Sequence, residues 1–187
     1  DTRDAPAYGG VHIPGSINIG FGNQMANWIG MAVDPESDIL LVFTDHEKYG
    51  DMCTLLYRIG YDKILGYLQG GIPAWQEQGF PIERISQMTV HELQEEIKKK
   101  TCQHIVDVRS KDEWNKGHIE GAMLLPLPGI LLNGVDLPKG EEIIVTCRVG
   151  YRGNIAASYL QMQGFKHVHN LAGGMLAWAN AGFSLKV

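Results

Sequence analysis

The feature that most constrains this chain is an internal repeat. Asp1-Thr2-Arg3 followed by His12-Ile13-Pro14-Gly15 returns as Asp107-Val108-Arg109 followed by His118-Ile119-Glu120-Gly121, with identical internal spacing. A second set returns in the same order. Gly60-Tyr61, Gly70-Gly71-Ile72-Pro73-Ala74-Trp75 and Gly79-Phe80 match Gly164-Phe165, Gly173-Gly174-Met175-Leu176-Ala177-Trp178 and Gly182-Phe183. Two copies of one supersecondary plan follow. The boundary falls near Pro81 to Met88, giving domains over 1–85 and 86–187.

Each copy reads as alternating strand and helix. In the second, Thr89 and Glu92 form a capping box ahead of Val90, Leu93 and Ile97 at helical spacing. His104-Ile105-Val106 predicts a short buried strand ending at Asp107, and β-branched Ile143-Ile144-Val145-Thr146 predicts another. A helix is expected from about Asn154 to Gln163, stopped by Gly164. Val168 to Leu171 reads as a strand, and Met175 to Ala179 opens the last helix. The alternation predicts an α/β fold in which each domain is a parallel sheet covered by helices on both faces. The second copy has 19 residues, Met88 to Val106, ahead of its Asp-Val-Arg segment, whereas the first opens on Asp1. The first is therefore expected to be incomplete at its N-terminus.

Charge differs between the copies. Residues 1–85 hold 11 acids and 5 bases, a net −6, while residues 86–187 hold 10 acids and 11 bases, a net +1. The second half is the better host for an anion. The overall charge of −5 leaves no nucleic-acid footprint. There is no apolar run of 18 residues to span a membrane. Cys53, Cys102 and Cys147 lie far apart, without CxxC spacing, so neither a disulfide framework nor a zinc knuckle is indicated. Free cysteines favour a reducing, cytoplasmic setting. His167 and His169 flank one valine in a strand and bring no further ligands, so no metal site is read there.

Cys147-Arg148-Val149-Gly150-Tyr151-Arg152 lies between a buried strand and a helix. Ligands of open α/β sheets bind beyond the carboxyl ends of strands. A turn there aims backbone N–H groups inward, and the helix start adds partial positive charge, both of which favour a thiolate over a thiol. Gly150 permits the close backbone approach of a tight anion cradle. Arg148 and Arg152 supply permanent charge and planar donor forks. The bland alternative is a buried structural cysteine beside two surface arginines. That reading is kept for Cys53, in an apolar helical pattern with Leu56, and for Cys102, in a polar turn before a strand.

These segments resemble tandem rhodanese domains over nearly the whole chain. The resemblance rests on Asp107-Val108-Arg109 with Gly117-His118-Ile119-Glu120-Gly121-Ala122, on the Cys-x-x-Gly-x-Arg loop, and on Gly173-Gly174 with Ala177-Trp178. It implies a sulfurtransferase in which Cys147 becomes a persulfide, drawing a sulfane sulfur from an anionic donor and passing it to a thiol. Arg148 and Arg152 match the basic positions that go with thiosulfate in the family. Val149, Gly150 and Tyr151 complete the substrate loop, and no cofactor is implied. Asp107 and Arg109 match an acid–base pair near the site, read here as a buried ion pair holding the loop's neighbours. Leu127, Ile130, Leu131 and Leu132 either wall the pocket or belong to the core.

In the first copy the equivalent strand, Ile39 to Phe43, leads into Thr44-Asp45-His46-Glu47-Lys48-Tyr49, with neither cysteine nor arginine. That copy is expected to be structural or a docking module. The turn's His46 with Asp45 and Glu47 is read as solvated rather than metal-binding. Phe21, Trp28-Ile29-Gly30 and Arg58-Ile59-Gly60-Tyr61-Asp62 with Gly66-Tyr67-Leu68-Gln69-Gly70-Gly71 are similar to the repeats that follow a metallo-β-lactamase-fold, persulfide dioxygenase-like domain in bacterial fusion proteins. That similarity implies such a domain upstream, in a larger persulfide-metabolising enzyme. Two rivals stand beside the sulfurtransferase. One is a non-catalytic persulfide-sensing or docking module. The other is a cysteine phosphatase or arsenate reductase, whose loops typically carry one residue more than the four between Cys147 and Arg152.

Overall fold

The computed structural model describes residues 1–45 and 48–187. The chain divides into two compact units, Asp1–Arg84 and Ile85–Val187.

The first unit runs α1 (Ala5–Gly10), α2 (Met25–Ala32), β1 (Ile39–Leu41), α3 (Tyr49–Arg58), β2 (Ile64–Tyr67) and α4 (Gly71–Glu77). β1 and β2 pair in parallel. The strand expected over Ile39 to Phe43 ends at Leu41, and the Val42 carbonyl beyond it accepts from Thr2, through N–H at 2.8 Å and Oγ1 at 3.2 Å. Tyr8, Met25, Leu56 and Tyr61 fill the core, and the Tyr61 hydroxyl donates to the carbonyls of Ile29 and Val33.

The second unit runs β3 (Ser86–Met88), α5 (Val90–Lys99), β4 (His104–Asp107), α6 (Lys111–Trp114), β5 (Met123–Leu124), α7 (Leu127–Asn133), β6 (Glu142–Thr146), α8 (Tyr151–Met162), β7 (His167–Leu171) and α9 (Gly174–Asn180). Its five strands are all parallel, in the order β3-β7-β6-β4-β5. β6 lies inside the sheet and is apolar on both faces, as a parallel strand sandwiched by helices must be. Ile144 points to the α5 and α9 side, where it packs with Leu93, Ile105, Leu171, Met175 and Trp178. Its neighbours Ile143 and Val145 project to the opposite side by the period-2 alternation, and α7 and α8 pack together there. The Thr89–Glu92 capping box starts α5 as the sequence reads. α8 starts at Tyr151, three residues before the expected Asn154, because Gly150 takes a left-handed conformation that ends the loop at once. Leu127, Ile130 and Leu131 are core residues of α7, and Leu132 faces solvent.

The repeat is visible in side-chain detail. Arg3 donates through Nε and Nη2 to Asp1, and to the carbonyls of Ala7 and Val11. Arg109 donates in the same way to Asp107, and to the carbonyls of Glu113 and Gly117. Tyr8 stacks on His12 at 3.9 Å in one unit and Trp114 on His118 at 3.7 Å in the other. Trp75 and Trp178 each donate Nε1–H to a carbonyl six residues on. Because the aspartate–arginine pair recurs in a unit without the cysteine loop, its first role is to fold the segment after the strand.

Candidate active site

β6 ends at Thr146, and the chain bends through Cys147 to Gly150 before α8. The bend sets Cys147 at the floor of the loop, 1% exposed, while Arg148 and Val149 face solvent. The Cys147 Sγ accepts a hydrogen bond from the Gly150 N–H at 3.1 Å. Gly150 has φ +96°, a left-handed conformation in which any side chain would be strained. The loop is held from behind by α9, whose first amides have no intrahelical acceptor. Met175 N–H donates to the Cys147 carbonyl at 2.8 Å and Leu176 N–H to the Arg148 carbonyl at 3.0 Å. Gly174 makes this approach possible, since a Cβ there would overlap the Cys147 carbonyl oxygen.

Beneath the loop lies a buried amide network that the sequence does not announce. Asn170 Nδ2 donates to Gln87 Oε1 at 2.8 Å, and Gln87 Nε2 donates to Asn154 Oδ1 at 3.1 Å. The Asn154 N–H returns to the Gly150 carbonyl at 2.9 Å. These bonds tie β3, β7 and α8 to the end of the loop.

The two loop arginines are placed differently. Arg152 does not stand open to the loop as a free donor fork. Its Nη1 and Nη2 donate to Glu113 Oε2 and Oε1, both at 2.7 Å. The physical reason is the Ser110–Glu113 capping box, which holds the Glu113 carboxylate at the start of α6. The hydrogen bonds from Arg152 hold the Glu113 carboxyl down at about 2, against a smaller opposing effect of burial and with added help from the Ser110 N–H. The same pairing raises Arg152, whose charge also feels Cys147 and Asp107. Arg148 makes no ion pair among the described residues, nor does Lys116. A cavity of about 360 Å³ beside the loop is lined by Arg109, Glu113, Lys116 and Arg148. Glu113 and Lys116 were not singled out from sequence. The Ser110-x-x-Glu113 pattern was the available signal, and it reads as a helix cap alone.

Cys102 packs against the core, and burial, then Glu96 and Glu142, push its thiol up to about 11. That makes it a poor nucleophile at neutral pH. Tyr151 is half-buried, and burial raises its phenol. His169 Nε2 lies 3.0 Å from Glu142 Oε1. Asp45 meets Lys48 at 3.6 Å, while His46 and Glu47 lie outside the described residues. Among the described residues no group of three His, Cys, Asp or Glu is arranged to hold a metal, and no helix is long and apolar enough to cross a membrane.

A strand-end cysteine in an amide-lined loop on a parallel sheet, present in the second of two like units, defines the class. The rhodanese-like domain model matches residues 1–78 and 89–181, and the chain belongs to that family. The chain is 37% identical over 81 residues to a sulfurtransferase of Allochromatium vinosum, covering 43% of this chain and 76% of that protein. It is 34% identical over 96 residues to the thiosulfate sulfurtransferase GlpE of Shewanella oneidensis, covering 50% of this chain and 92% of the relative. The solution structure of a rhodanese-like domain from Anabaena sp. is similar at a TM-score of 0.50 and 31% identity, over 54% of this chain and 77% of that one. Each match thus spans about half of this chain.

Proposed function

We propose that the second unit is a sulfurtransferase that carries a sulfane sulfur on Cys147, with thiosulfate or a low-molecular-weight persulfide as donor and a thiol as acceptor. The observation that carries this reading is the Gly150 N–H bond to Sγ at the start of α8. A helix start and an inward amide stabilise an anionic group bound at this place, the transferred sulfur included. The Cys147 thiolate attacks the outer sulfur of thiosulfate, a new S–S bond forms, and the S–S bond of the donor breaks with its electron pair leaving on sulfite. Arg148 and the loop amides meet the departing charge, and the charge of Arg152 is already balanced by Glu113. An acceptor thiolate then attacks the outer sulfur of the persulfide and releases Cys147. The names of the sulfurtransferase relatives support this chemistry. The first unit, which lacks the cysteine loop, serves as a structural or docking module. Its motif similarity to fusion proteins supports a setting beside a persulfide-consuming metallo-β-lactamase-fold domain.

Incubation with thiosulfate should add the mass of one sulfur, and Cys147→Ser should add none, since an alcohol is a far weaker nucleophile. Release of phosphate from an aryl phosphate without sulfite from thiosulfate would replace this reading with a phosphatase.

A further inference from the structure

The cavity beside the Cys147 loop, lined by Arg148, is larger than the proposed donor requires. At about 360 Å³ it falls in the range of sites that take small organic molecules. Its charges also sort unevenly. Arg109 is spent on Asp107, and Glu113 is spent on Arg152. The cations left are Arg148 and Lys116, both exposed and without an ion-pair partner among the described residues. A concave site flanked by two unbalanced cations attracts an anionic group. Arg148 belongs both to the cavity lining and to the Cys147 loop, which joins the cavity to the loop that carries the transferable sulfur.

We infer that this cavity is the acceptor subsite, and that it selects organic thiols carrying a carboxylate, with Lys116 and Arg148 binding that carboxylate. The inference rests on the sulfurtransferase reading above. In the step it serves, the acceptor thiolate attacks the outer sulfur of the Cys147 persulfide. The acceptor gains that sulfur as a new persulfide, and the Cys147–sulfur bond pair returns to Sγ as thiolate, with no net oxidation. Lys116 touches the far end of the acceptor and sets which thiols are used. Its position follows from α6, since the Lys116 N–H donates to the Glu113 carbonyl at 3.3 Å and Gly117 then turns the chain inward to Arg109.

The test compares three small thiols of similar size and different charge, 3-mercaptopropionate, 2-mercaptoethanol and cysteamine, as acceptors for enzyme first loaded with one sulfur from thiosulfate. Rates are expressed per thiolate to remove differences in acidity. The wild-type protein should rank them anionic, neutral, cationic. Lys116→Glu should cut the anionic-to-neutral rate ratio by about tenfold, as reversing one charge near a docked carboxylate predicts. Lys116→Gln should cut it by a smaller factor, and added salt should compress the wild-type ranking. If loading occurs and the ratio is the same in wild type and Lys116→Glu, the acceptor assignment is overturned while the sulfurtransferase reading survives. If no donor loads Cys147, both fall together.

Discussion

Glu113 and Arg152 face each other fork to fork, with Nη1 on Oε2 and Nη2 on Oε1, both at 2.7 Å across 39 residues of sequence. The bidentate geometry fixes both side chains more firmly than a point contact would. It also withdraws one of the two loop arginines from direct anion binding. Glu113→Gln should therefore strengthen thiosulfate capture by leaving Arg152 uncompensated. We expect KM for thiosulfate to fall by about threefold to tenfold, in line with one added charge in a partly exposed site. Steady-state sulfite release checks this, and an unchanged or higher KM would mean that the pair is needed intact.

The same pair gives a pH signature. The folded-state Glu113 carboxyl is depressed to about 2, so its contribution is present above the usual carboxylate range and is lost as pH falls toward the folded value. Glu113 and Arg152 are 28% and 24% exposed, so screening limits the contribution to about 1 kcal/mol. Wild type should exceed Glu113→Gln in denaturant stability by that amount at pH 6, and the gap should close by about pH 2. A gap that persists at pH 2 would point to packing rather than charge.

What was legible in the sequence was local. The Cys147 loop, its glycine and the strand feeding it are contiguous, and the continuous β-branched run Ile143–Thr146 followed by a turn and a helix leaves few topologies. The reading of Asp107 and Arg109 as an ion pair was also local, since the two stand two residues apart, and the same pairing joins Asp1 and Arg3 in the copy without the cysteine loop. The partners of the loop were not legible. Glu113 reads as a helix cap until Arg152 is brought to it from another element. Lys116 reads as one more solvated lysine until a cavity joins it to Arg148. The Gln87–Asn154–Asn170 network spans three elements, and single amides carry no spacing signal.

Asp107 is fully buried and accepts three side-chain hydrogen bonds from Arg109, which in turn caps the carbonyls of Glu113 and Gly117. Asp107→Asn leaves a buried guanidinium without its counter-charge. Breaking a pair of this kind typically costs about 3–5 kcal/mol. Chemical denaturation should show a loss of that order in the second unit. A loss under about 1 kcal/mol would mean that the carbonyls alone satisfy Arg109.

The loop's rear support gives the sharpest stability test. Gly174 has φ +54°, and a Cβ at this position would overlap the Cys147 carbonyl oxygen and come within 2.9 Å of the Arg148 carbonyl carbon. Those obstacles are backbone, so no side-chain rotation relieves them. Gly174→Ala must push α9 away from the loop, lengthening the bonds from Met175 and Leu176 that hold the Cys147 and Arg148 carbonyls. Overpacking and backbone strain together should destabilise the second unit by about 2–4 kcal/mol. Because the displaced atoms belong to the cysteine's own peptide, sulfur loading from thiosulfate should also slow by at least about tenfold, the consequence of misplacing a reacting group by a fraction of an ångström. Gly129→Ala is the control, since it lies within α7 with nothing near its missing Cβ and should be neutral or slightly stabilising. If Gly174→Ala is as stable as Gly129→Ala and loads sulfur at the wild-type rate, the amides at the start of α9 do not set the geometry of Cys147.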